Sequence, residues 1–317
     1  MKTILITGTT SGIGKAVVDQ LAQLYGPLNF ILSNRDPLRS EKLVAELSSS
    51  YPNSKFNFEK LDLASLKSVR SFAERVSVKK IAIDFLVLNA GLQVTGPISQ
   101  TEDGFETTFG VNHLGHFLLT RLLLSQMNVG GRIVVISSGT HDPALKTGIP
   151  VPRYSSAKLL SQGVLDKSDE LSQGDYGKSL YSTSKLCNLM FGYELNRQLK
   201  LSSDKKLSSI DVLIFDPKMN PGTGLARTYP KPIQLIWKYL LPILSNLVPG
   251  ARSIEKTAHV LSSLIMDDSQ KFDGRYFDDL NPIKSSTESY DPSKWSDLWS
   301  VSSELCRIPP EVNKIAK

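Results

Sequence analysis

Two phrases in this chain set a tyrosine four residues ahead of a lysine: Y-S-S-A-K at 154–158 and Y-S-T-S-K at 181–185. On a helix that spacing stacks both side chains on one face. A phenol beside an ammonium can release a proton, because the positive charge favours the phenolate. Reduction of a carbonyl needs such a proton for oxygen, a hydride for carbon, and donors around the developing oxyanion. A second reactive group, Ser138 with His141 and Asp142, has the types of a hydrolase triad. Three residues on one short loop rarely reach triad geometry, and no G-x-S-x-G elbow accompanies them.

The elements around the two phrases separate them. After Tyr181, apolar residues recur at Leu186, Leu189, Met190 and Tyr193, and the strand-like run I-D-V-L-I-F follows from Ile210. A helix feeding a strand is the expected support for a buried lysine. After Tyr154 the pattern fades into Gly163 and a polar run, and Pro150 and Pro152 precede it. That segment reads as a loop with one helical turn. Tyr181 is therefore the chosen proton donor, although Tyr154 lies only 16 residues past Ser138 and Tyr181 lies 43 past it.

Farther back, short apolar runs alternate with helix-period segments. Strands are expected at 3–7, 29–33, 56–60, 85–89, 132–137, 211–215 and near 274–277. Helices are expected at 13–25, 39–49, 66–76, 105–127, after Tyr181, and near 253–266. Strand and helix in alternation predict an α/β fold: a single domain over 1–317 with a doubly wound parallel sheet flanked by helices. T-G-T-T-S-G-I-G-K at 7–15 joins the first strand to the first helix. Its glycines let backbone approach a phosphate, and the helix start favours an anion.

The glycine spacing is G-x-x-x-G-x-G, and here the chain resembles the short-chain dehydrogenase/reductase family. N-A-G at 89–91, V-N-H-L-G-H-F at 111–117, I-S-S at 136–138 and Y-x-x-S-K at 181–185 continue the resemblance in order. S-Y-D at 289–291 and L-W at 298–299 are similar to the subgroup of retinol dehydrogenases and light-dependent protochlorophyllide reductases. The resemblance implies a Rossmann-like fold and a catalytic set of Asn112, Ser138, Tyr181 and Lys185. Ser138 would hold the carbonyl oxygen and Tyr181 would give the proton. Lys185 would lower the tyrosine pKa and bind the nicotinamide ribose. Asn112 would hold a relay water. Ser137 would belong to the strand end.

The same resemblance assigns cofactor contacts to Gly8, Thr10, Ser11, Gly12, Ile13 and Gly14. It adds Asp62 and Leu63 at the adenine, Asn89, Ala90 and Gly91 past the ribose, and Tyr181 with Lys185. At the end of the second strand, Asn34 is neutral and Arg35 follows, where an acid would select NAD. A guanidinium suits a 2′-phosphate, so NADP(H) is the expected cofactor, with a solvated surface arginine as the alternative. A P-G pair normally follows the sixth strand; here Pro217 is followed by Lys218, which leaves Pro217 and Thr223 as the cofactor contacts of that segment.

Two further stretches bear on substrate. Residues 139–180 form a long insertion between Ser138 and Tyr181, as in the retinol dehydrogenase and protochlorophyllide reductase subgroup. Tyr154 would line its entrance or pack locally. Residues 218–250 would form a substrate lid. Its apolar part, 230–248, suits a large apolar carbonyl or alcohol, a peripheral membrane contact through Lys231 and Lys238, or simple core packing. The expected activity is NADP(H)-dependent hydride transfer to or from a carbonyl/alcohol. Light-driven C=C reduction is one alternative and a non-catalytic NADP(H) sensor is another.

Bulk properties exclude little else. A net charge of +6 is scattered without a basic stripe, so no nucleic-acid partner is expected. Two isolated cysteines and four unclustered histidines offer no metal site. A reducing, cytoplasmic setting, peripheral to a membrane if 230–248 docks, is the simple expectation; no signal peptide or spanning run is evident. Homo-oligomerisation is implied by the resemblance alone.

Overall fold

The computed structural model describes all residues except 168, 170, 244–247, 249 and 315–317. Eight strands form one sheet in the order β3-β2-β1-β4-β5-β6-β7-β8. They are β1 (Thr3–Thr7), β2 (Asn29–Asn34), β3 (Lys55–Lys60), β4 (Ile83–Leu88), β5 (Met127–Ile136), β6 (Asp211–Phe215), β7 (Tyr276–Phe277) and β8 (Pro282–Ile283). Neighbours pair in parallel except β7 with β8, which are antiparallel. The order reverses between β1 and β4, and the carboxyl ends beside that switch are where a doubly wound sheet offers a crevice.

The central strands are apolar on both faces because helices cover both. Ile4, Ile6, Phe30, Leu32, Val87, Val134 and Phe215 pack with helices α1 (Gly12–Tyr25), α2 (Pro37–Ser50) and α10 (Ile254–Met266). Their neighbours Leu5, Ile31, Leu86, Leu88, Val135 and Ile214 pack on the opposite face. That face carries α3 (Leu66–Val78), α5 (Gly115–Leu123), α7 (Gln173–Lys200) and α11 (Pro292–Leu305). Full burial of each such side chain contributes about 1.5–3 kcal/mol. Arg132 ties the layers: its guanidinium donates to the carbonyls of Leu264, Ile265 and Asp267 at the end of α10 and lies 3.7 Å from Asp211.

The expected helix over 105–127 is broken into pieces. Glu106 caps α4 (Thr107–Phe109), accepting from the backbone N–H groups of Thr108 and Phe109. A π-turn, Gly110–Leu114, follows before α5. Met127 belongs to β5, which starts five residues before the expected 132 and ends at Ile136. The long insertion also ends sooner than expected. Among the described residues it is a loop with a 3-10 turn, Gly139–His141, and one short α-helix, α6 (Ala157–Ser161), but α7 starts at Gln173, so residues 173–180 belong to the tyrosine's helix. Gly177 explains the early start. A Cβ there would lie 2.1 Å from the Val94 carbonyl, so only glycine lets this turn dock on the loop after β4. Short helices α8 (Lys205–Ser209) and α9 (Lys231–Leu235) complete the set.

Candidate active site

The glycine turn is wedged between the ends of β1 and β4. A Cβ at Gly14 would sit 2.3 Å from the Gly8 carbonyl and 2.6 Å from Asn89 Nδ2, so α1 can start this close only with glycine there. Ser11 occupies the helix N-cap without a side-chain capping bond, and Thr10 and Ile13 beside it are half-buried. Uncapped N–H groups at a helix start are an anion site. Thr223 lies 3.3 Å from the Cβ position of Gly12, which brings the segment after β6 over the same turn.

Asn34 does not face outward as a ribose contact would. Its Oδ1 accepts from Thr9 N–H at 2.7 Å and its Nδ2 donates to Thr9 Oγ1 at 2.8 Å. The amide braces the glycine turn against β2, and its burial requires those partners. Arg35 next to it is exposed. A second guanidinium, Arg227, feels it: burial first and then the Arg35 charge hold Arg227 below its ordinary pKa. Asp62 keeps one oxygen on the Ala64 N–H, and the Leu63 carbonyl lies against Gly115. Asn89 donates to the carbonyls of Thr7 and Gly8, while the N–H groups of Asn89 and Ala90 both donate to Thr7 Oγ1.

Four expected catalytic positions converge beside this turn. Tyr181 and Lys185 lie in α7, and the Lys185 ammonium stands 5.6 Å from the Tyr181 ring centre. Both are buried. Burial pushes the Tyr181 phenol up, and the Ser138 hydroxyl acts against that by favouring the phenolate. Burial lowers Lys185 to about 8, while the Asp216 carboxylate opposes the shift. A Cβ at Gly91 would lie 3.5 Å from Asn112 Oδ1 and 3.6 Å from Lys185 Nζ, so these three meet at one point. The Asn112 side chain accepts from Leu92 N–H and donates to Leu92 O and Ser184 Oγ, which leaves one acceptor site on Oδ1. Ser137 points away from Ser138 and donates to the Lys185 carbonyl at 2.8 Å.

Tyr154 and Lys158 make no such pair. Tyr154 precedes α6, is buried, and donates to Asp297 of α11 at 2.7 Å. Lys158 is exposed and lies 3.7 Å from Glu304. Tyr154 thus pins the insertion to the last helix instead of lining an entrance. The Ser138–His141–Asp142 group is no triad either: His141 Nδ1 meets the Ser138 backbone carbonyl, not its hydroxyl.

Other features were not legible in the sequence. His113 and His116 are both buried. His116 Nδ1 donates to the Asn112 carbonyl at 3.1 Å, so its Nε2 accepts from Thr7 Oγ1 at 3.0 Å. A single neutral ring joins the π-turn to the end of β1, and burial lowers it to about 4. Lys218, which follows Pro217 in place of the glycine expected there, adopts φ +63, in the left-handed region. Its ammonium pairs with Asp278 and lies 4.0 Å from Asp216. A left-handed non-glycine residue costs roughly 1–2 kcal/mol. Among the described residues no cluster of His, Cys, Asp or Glu could hold a metal.

The sheet order, the glycine turn and the Ser–Tyr–Lys convergence define a dinucleotide-dependent oxidoreductase. The short chain dehydrogenase family model matches residues 2–173, and the chain belongs to the short-chain dehydrogenase/reductase family. It is 32% identical to retinol dehydrogenase 12 of Mus musculus over 312 residues, 97% of this chain and 87% of that protein. It is 33% identical to retinol dehydrogenase 14 of Mus musculus over 326 residues, 97% of this chain and 86% of that protein. The crystal structure of L-sorbose reductase from Gluconobacter frateurii, complexed with NADPH and L-sorbose, shares the fold with a TM-score of 0.63. That match is 18% identical and covers 90% of this chain and 97% of that one.

Proposed function

We propose that this enzyme is an NADP(H)-dependent oxidoreductase acting on the carbonyl or alcohol of a large apolar substrate of retinoid type. The observation that carries the reading is the meeting of Ser138, Tyr181 and Lys185 beside the glycine turn. NADP(H) fits the residues present: an uncapped helix start for the pyrophosphate, and Arg35, exposed beside neutral Asn34, for the 2′-phosphate. When bound, it supplies or accepts the hydride. In reduction the Tyr181 hydroxyl gives its proton to the substrate oxygen, and the Ser138 hydroxyl donates a hydrogen bond to the same oxygen. The Lys185 charge stabilises the phenolate left behind. Asn112 orders the relay water that restores the proton. Oxidation runs the same steps in reverse.

Residues 218–250 act as the substrate lid. Ile233, Ile236, Leu240 and Ile243 are exposed along its described part, with Lys231 and Lys238 beside them. Residues 244–247 and 249 lie outside the described residues. That face suits peripheral contact with an anionic lipid surface, from which an apolar substrate would enter. The direct test is NADPH consumption across apolar aldehydes. Tyr181→Phe should abolish it with NADPH affinity retained. Turnover that survives in Tyr181→Phe and vanishes in Tyr154→Phe would sink the reading. Co-sedimentation with vesicles containing anionic lipid should weaken in Ile236→Glu/Leu240→Glu; an unchanged bound fraction counts against the membrane contact.

A further inference from the structure

The C-terminal turn at Thr287–Tyr290 reaches the serine loop through one histidine. His141 ends the 3-10 turn that begins after Ser138. Its Nδ1 lies 2.6 Å from the Ser138 carbonyl and its Nε2 lies 3.1 Å from the Ser286 backbone nitrogen. A carbonyl only accepts, so Nδ1 carries the proton. A backbone N–H only donates, so Nε2 is bare. The ring is thus fixed in one neutral tautomer, buried, and set edge-on to Tyr276 at 5.3 Å. Burial lowers its pKa, against the opposing charges of Asp216 and Asp142.

The far end of this link is itself anchored to the helix that carries Tyr181. Ser289 Oγ donates to the Ser286 carbonyl at 2.6 Å and lies 2.6 Å from Ser285 Oγ. Ser285 Oγ meets the Tyr193 hydroxyl of α7 at 2.6 Å, and the Tyr193 and Tyr290 rings stack at 5.3 Å. A closed circuit therefore runs from Ser138 through His141, Ser286, Ser285 and Tyr193 to α7, and along α7 back to Tyr181. We propose that His141 is a positioning residue: through Ser286 it fixes the Ser138 loop against the Tyr181 helix, so the tail sets the spacing of the two hydroxyls. This rests on the proposed carbonyl chemistry. Misplacement of a catalytic group by about 1 Å can cost as much as 10²-fold in rate.

Ser286 allows a narrow test, because its φ of −58 is one proline adopts. Ser286→Pro deletes the N–H donor together with a hydroxyl that makes no hydrogen bond. His141→Asn keeps a donor near Nδ1 and deletes the acceptor at Nε2, reading the same bond from the other end should the proline variant fail to fold. Each variant should lose about tenfold or more in kcat with NADPH Kd within about twofold of wild type. The double variant should be no slower than either single one, since both break one circuit. A folded Ser286→Pro or His141→Asn enzyme with wild-type kcat overturns the proposal, as do losses that multiply in the double variant. Imidazole ¹⁵N NMR reads the link without turnover. A His141 with its proton on Nε2, or one titrating at the ordinary 6.5, overturns it. If the wild type reduces no carbonyl while His141 shows the neutral Nδ1–H form, the proposed function fails and the link stands.

Discussion

Removing the hydroxyl of Tyr181 while keeping its ring should lower carbonyl turnover by about 10²–10⁴-fold, read as NADPH consumption. Tyr154→Phe should leave turnover intact, because that hydroxyl serves Asp297. Lys185 supplies a pH prediction at the same scale. Burial lowers it to about 8, so it is charged below that pH and neutral above. kcat/KM for NADPH reports the free enzyme and should fall as pH rises through about 8. In Lys185→Arg whatever activity remains should lose that limb; a limb that persists would assign it to another group. The motif letters made Tyr181, Lys185 and Ser138 readable in the chain. Asn34 and His116 were not, because an amide or imidazole turned inward is decided by which neighbour lies within hydrogen-bond reach.

At the scale of elements, the insertion and the last helix act together. Asp297 of α11 accepts from the Tyr154 hydroxyl and from Ala157 N–H, the first residue of α6. Asp297→Ala leaves both donors without that partner and should cost about 1–3 kcal/mol by urea denaturation. It should also raise KM for the carbonyl while NADPH Kd stays unchanged. An unchanged KM would detach the insertion from substrate entry. Sheet and helices were legible from continuous apolar runs and 3.6-residue periods. The π-turn was not: its apolar residues continue the helical pattern, which carries no signal for the wider turn. The early start of α7 escaped for a similar reason, since Gly174 and Gly177 weaken the pattern where backbone contact with Val94 supplies the support.

Across the whole molecule, acid should loosen the fold before it touches the surface ion pairs. Burial lowers His113 to about 3 and His116 to about 4 from the ordinary 6.5. Both folded-state values are depressed, so their contribution is complete above 6.5 and is lost as pH falls toward the folded values. Each ring adds a slope approaching about 1.4 kcal/mol per pH unit. The urea midpoint should drop between pH 6.5 and 4; a flat midpoint would show that these rings are not held neutral. The sheet rims carry a different consequence. One rim is β3, whose outward residues include Lys55 and Lys60; the other is the two-residue β8, where Pro282 lacks an N–H. Charge guards one margin and a missing donor guards the other, so copies of this chain cannot readily zip strand to strand. Edge-to-edge pairing being disfavoured, the helical flanks are the faces left open to association.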